Sequence, residues 1–139
     1  MPYITYPQPN GQVAIIIPAD PSLSIEEIAV KDVPANTPYK IVETLNLDND
    51  YFNAYEFHAE LGAEVNIDKA KAIHLNKFRA ARAPKLAALD IAYSRADETA
   101  DAAKKAEVAA QKQALRDVTK TALPDTLPEI KAVWPDILN

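Results

Sequence analysis

A chain of 139 residues, 48% hydrophobic and 25% charged with a net charge of −5, has the makeup of one ordinary globular domain or two very small ones, not of a disordered tail. The absence of cysteine and the presence of only two glycines, Gly11 and Gly62, exclude disulfides, thiolate metal sites, thiol catalysis and every glycine-rich phosphate loop. The charge is divided: residues 1–66 hold ten acidic and two basic side chains, net −8, while residues 67–139 hold ten acidic and thirteen basic, net +3.

The first region reads as short strands and turns. The segment Met1–Thr5 has neither a basic start nor a long apolar stretch, so it does not read as a secretory signal. Val13–Ile17 is β-branched and apolar between Asn10-Gly11 and Pro18, which predicts a short strand. It is also the longest apolar run, far below the ~20 residues that span a bilayer. No membrane partner is expected, and a soluble protein is. Asp20-Pro21-Ser22 is a turn, and Ser24 with Glu27 forms a capping box ahead of Ile28. Pro34–Pro38 is a further turn, and Tyr39–Glu43 alternates as a strand does. Tyr51–Phe57 holds much of the aromatic content and fits a strand or a helical turn equally well.

The second region is helical. Asn66 is the expected N-cap, with Asp68 in the first turn where a negative charge suits the helix dipole. Positions Ile67, Ala70, Ile73 or His74, Phe78 and Ala81, and after Pro84 Leu86, Leu89, Tyr93 and Ala96, follow the spacing of one helix face. A helix from 67 to 97 would be ~45 Å long, with a kink at Pro84 and a turn at Asp97–Asp101. A second helix over 102–119 would fold back as a hairpin, placing Leu86, Leu89 and Tyr93 against Val108, Leu115 and Val118. Beyond the break at Leu123-Pro124-Asp125, Thr126 caps a short helix Leu127–Val133, and Trp134 pins the segment to a core. The expectation is an α+β chain: an acidic, proline-rich, β-containing region over 1–62, then a long helical hairpin and a short terminal helix over 63–139.

No residue pattern points to catalysis, so the chain is read as a non-enzyme without a cofactor or metal. His58 and His74 are the only imidazoles; with Glu60 and Asp68 they lack the spacing of a zinc site and read as surface or boundary residues. Ser22 and Ser24 read as turn and cap residues, and the paired carboxylates as solvated charges. Lys69, Lys71, Lys77, Arg79, Arg82 and Lys85 spread around a helix without forming one stripe, which predicts pairing with acidic groups instead of nucleic-acid binding.

Four segments carry a family pattern: Val65–His74, Arg79–Asp90, Gln111–Thr119 with its Arg116-Asp117-Val118-Thr119, and Leu127–Pro135 ending in Trp134-Pro135. In this order, with Val33–Val42 ahead of them, they resemble tailed-phage tail assembly or tail-fibre assembly chaperones over about residues 33–138. The resemblance implies a non-enzymatic factor that binds a tail-fibre or other tail protein and assists its folding and assembly, in the host cytoplasm during assembly and, as for some related factors, with retention in the virion tail as the alternative. A virion structural subunit, an adaptor attached to fibre or baseplate, is the alternative, and self-association is compatible with either. A strand such as Val13–Ile17 could cover unpaired strand edges of a client. The aromatics Tyr51, Phe52, Tyr55 and Phe57 are the candidate partner anchors, or else the core of the first region.

Overall fold

The computed structural model describes residues 2–139, and the chain divides into two compact units, one ending at Ala70 and one running Lys71–Asn139. The α+β class is as expected: strands in small sheets come first and long helices follow.

The first unit is built on a three-stranded antiparallel sheet of β1 (Tyr3–Pro7), β2 (Val13–Ile16) and β3 (Lys40–Val42), with β1 in the centre. β1 is absent from the sequence expectation. Tyr3-Ile4-Thr5-Tyr6 has strong strand propensity, but the nearby prolines obscure it. The Asn10-Gly11 turn joins β1 to β2, with Gly11 at φ +85 and Gln12 N–H donating to Asn10 Oδ1 at 3.0 Å.

Register assigns the faces. Ile4 stands opposite Ile16 on β2 and Ile41 on β3, so the three aliphatic side chains share one face. Helix α1 (Ile25–Asp32) covers that face, and Ile4, Ile28, Ala29 and Val33 form its buried centre. Both halves of the expected capping box are made: Ser24 Oγ accepts from Glu27 N–H at 3.1 Å, and Glu27 Oε2 accepts from Ser24 N–H at 2.8 Å.

Thr5 points to the opposite face, where the hairpin of β4 (Tyr55–His58) and β5 (Gly62–Val65) packs. Gly62 approaches so closely that a Cβ there would lie 2.9 Å from Val42 Cγ1 and 3.2 Å from Thr5 Oγ1. β5 straddles the 62/63 position where the composition changes, and it belongs to the first unit. The ambiguous aromatic segment resolves into both options. A 3-10 helix, Asn49–Ala54, is capped by Asp48 Oδ1 accepting from Asp50 N–H at 3.1 Å, and β4 follows directly.

Thr5 is fully buried and its Oγ1 has no hydrogen-bond partner among the described residues. A buried hydroxyl without a partner keeps its desolvation cost. Thr5→Val is therefore expected to raise stability by about 1 kcal/mol, read from the urea midpoint of the far-UV CD signal. A lower midpoint would show that the hydroxyl is bonded.

The second unit holds most of α2 (Ile67–Glu98), which runs through Pro84 without ending, then α3 (Ala102–Asp117), α4 (Leu127–Ala132) and a closing 3-10 turn, Asp136–Leu138. Asn66 Oδ1 caps α2 by accepting from Lys69 N–H at 3.2 Å. The α2–α3 turn is a Schellman pair, Asp101 N–H to Ala96 O at 2.9 Å and Ala100 N–H to Asp97 O at 3.1 Å, with Ala100 at φ +55. Asp101 and Thr126 cap α3 and α4.

Phe78, Leu115, Val118 and Leu138 form the buried centre of this unit, with Leu86, Leu89, Leu123 and Val133 around it. Leu86 and Leu89 thus join Leu115 and Val118, as the spacing predicts. Tyr93 does not join them: its ring lies under Lys105 Nζ at 5.3 Å and Lys112 Nζ at 5.2 Å. Those ammonium groups pair with Asp97 and Asp90, each at 2.6 Å, so Tyr93 braces a charged seam.

Candidate partner-binding surfaces

The four candidate aromatics do not form one exposed surface. Tyr51 and Tyr55 are buried, and Tyr55 Oη accepts from Asp48 N–H at 3.2 Å, which ties the ring to the turn before it. These two serve the interior of the first unit. Phe52 and Phe57 are partly buried. Phe57 borders an open cleft of about 260 Å³ beside Glu56, Glu64 and Asp68. Glu56 accepts from the Asn66 side-chain amide and lies 3.8 Å from Lys69 Nζ.

The histidines have separate structural roles. His58 is partly buried, and its Nδ1 accepts from Glu60 N–H at 3.2 Å and Leu61 N–H at 3.0 Å, closing the β4–β5 turn. His74 is not a surface or boundary residue: it is 2% exposed, with Nε2 donating to Val133 O at 2.6 Å. That bond holds the end of α4 to α2. The His74 ring meets Phe78 edge-on at 4.8 Å, and Phe78 meets Trp134 edge-on at 5.4 Å. Trp134 is thus docked on one side while 39% exposed. Among the described residues, no three potential ligands gather as a metal site would require.

The basic residues of α2 are largely engaged within their own units. Lys71 Nζ reaches Asp125 at 2.8 Å and holds that carboxyl below the usual carboxylate range. Arg82 donates to Arg116 O at 2.9 Å and Leu115 O at 3.4 Å, supplying partners to the end of α3. Lys85 Nζ donates to Asn139 O at 2.7 Å, and Arg79 to Asn76 Oδ1 at 2.6 Å.

Each unit carries a cleft with apolar walls, and neither is evident from periodicity. In the second unit a groove of about 480 Å³ runs between α2 and α3, lined by Leu89, Leu115, Ala88 and the exposed Ile137. In the first unit, clefts open between the end of β2 and α1, beside the exposed Ile17. The strand edge expected to be available at Val13–Ile17 is partly occupied, because Gln12 just ahead of it bridges to Glu56 of β4. No helix among the described residues is long and apolar enough to cross a membrane. Comparison of the chain with family models, curated proteins and solved structures finds no match.

Proposed function

We propose that this chain is a tail-fibre or tail assembly chaperone of a tailed phage. It acts without catalysis or cofactor in the host cytoplasm, binding a fibre or tail protein and assisting its assembly. One observation carries this reading: the segments that resemble the family are joined to each other. Arg82, in the Arg79–Asp90 segment, donates to the carbonyls of Leu115 and Arg116 in the Gln111–Thr119 segment. His74, in the first segment, donates to Val133 O in the last. The pieces of the pattern therefore belong to one structural unit, which is compatible with a shared family pattern over this region.

The role needs surfaces, not chemistry. Trimeric β-rich fibres fold slowly and expose apolar faces and strand edges that aggregate. An apolar groove such as the one beside Leu89 and Ile137 can shield such a face until the trimer closes.

Quantitative mass spectrometry of purified virions tests the assembly role. The expected result is far less than one copy of this chain per fibre. One or more copies per fibre would instead make it a structural subunit, attached to fibre or baseplate.

A further inference from the structure

The first unit offers an interaction surface whose chemistry can be read from its walls. β2 ends at Ile16; Ile17 is then 70% exposed, and Pro18 turns back into the interior. Two adjoining clefts open there, of about 400 and 170 Å³, which share Pro18, Leu23 and Ile28 as their floor. Pro2, Pro21 and Ile25 extend the apolar wall of the larger one.

Both walls are held rigid without a partner. Asp20 Oδ1 accepts from Ser22 N–H at 2.9 Å and from Ser22 Oγ at 2.6 Å, which fixes the turn. The Ser24–Glu27 box fixes the start of α1. A surface already set in shape loses little conformational freedom on binding.

The charge around the clefts is predominantly negative. Asp20 and Asp32 line them against the single cation Lys31, and Glu26 and Glu27 lie in the first turn of α1. The Ser22 hydrogen bonds hold the Asp20 carboxyl below the usual carboxylate range, so it is ionised at neutral pH. The surrounding residues 1–66 carry a net −8. Such a rim repels acidic peptides and anionic lipid and draws in cationic segments.

We propose that these clefts bind a protein segment that seats an aliphatic side chain against Leu23 and Ile28 and flanks it with lysine or arginine. The apolar floor supplies affinity, and the carboxylate rim supplies orientation and a salt-sensitive association rate. The inference goes beyond the assembly role and does not depend on it, since it concerns the chemistry of the bound segment and not its origin.

Selection of a random twelve-residue peptide display library on the intact protein tests it. The enriched peptides are expected to share an aliphatic residue within a few positions of Lys or Arg. Their binding should weaken roughly tenfold in Ile17→Ser, whose side chain is mostly in solvent and whose loss leaves the core intact. Asp20→Asn/Asp32→Asn keeps the turn acceptor and the shape, and should flatten the dependence on salt. Far-UV CD melts confirm that both variants are folded. The proposal is overturned by a failure to enrich peptides, by enrichment of acidic or uncharged peptides, or by peptides that bind both variants as tightly as wild type. Self-association lost in Ile17→Ser would assign the clefts to a second copy, and binding to vesicles of anionic lipid would assign them to a membrane surface. Either result also overturns the proposal.

Discussion

Phe78→Ala is expected to remove about 3–5 kcal/mol from the second unit, the loss typical of deleting a fully buried phenylalanine. Phe78 has no exposed surface, and it touches the three elements that the unit must hold together. It shares the core with Leu115 and Val118 at the end of α3 and with Leu138 in the closing turn, and its ring is edge-on to His74 and Trp134. Small folded units carry only roughly 0.05–0.15 kcal/mol of stability per residue. The loss is therefore a large part of the roughly 3.5–10 kcal/mol that this scale gives for residues 71–139. Trp134 is the only tryptophan and packs on this ring, so its emission reports the change directly. The urea midpoint should collapse, and emission should shift towards that of indole in water. Phe78→Leu, which keeps most of the volume, should cost less than about 1.5 kcal/mol. An unchanged midpoint in Phe78→Ala would reject this core.

Gly62→Ala is expected to be the most damaging small substitution in the first unit. Its φ of +86 lies in the left-handed region, which costs an L-residue about 1–2 kcal/mol. The added methyl would also lie 2.9 Å from Val42 Cγ1, inside the contact between the β4–β5 hairpin and the three-stranded sheet. Overpacking of that kind adds about 1–3 kcal/mol. Gly11 is the matched control. Its φ is +85, but an added Cβ there would meet only Glu56 Oε2, at 3.2 Å, the far end of a long side chain instead of a packed aliphatic group. Gly11→Ala should therefore show the backbone cost alone. Amide exchange of β1 and β5 followed by NMR separates the two, with protection lost in Gly62→Ala and reduced only modestly in Gly11→Ala. Equal effects would mean that the hairpin does not press on Val42 and Thr5 as described.

Local chemistry accounts for what was legible in the sequence. Ser24–Glu27, Asn66 and Thr126 are caps whose partners lie three residues away, and each is made as the spacing implies. The Leu86 and Leu89 stripe also faces Leu115 and Val118, because helical periodicity survives Pro84. Long-range approach accounts for what was hidden. β5 reads Gly62-Ala63-Glu64-Val65, weak in strand formers, and exists because β4 pairs with it. Composition leaves Tyr51 and Tyr55 open as partner anchors or as core, and both are buried, at and just after the Asp48-capped 3-10 turn. Helical spacing offers His74 as a place on the stripe between Ala70 and Phe78, but the group that satisfies its ring there, the Val133 carbonyl, lies 59 positions away and is not legible. The clefts beside Ile17 likewise need β2 and α1 to meet, which no single segment encodes.

The central proposal is that this chain helps a phage fibre or tail protein reach its assembled state. Co-expressing a tail-fibre or tail protein with and without this chain tests that most directly. The measurement is the yield of soluble, SDS-resistant fibre trimer after centrifugation. The account predicts that trimer falls and pelleted monomer rises when the chain is omitted, and that co-expression of the wild-type chain restores the trimer. Equal trimer yields in the two cultures would contradict it.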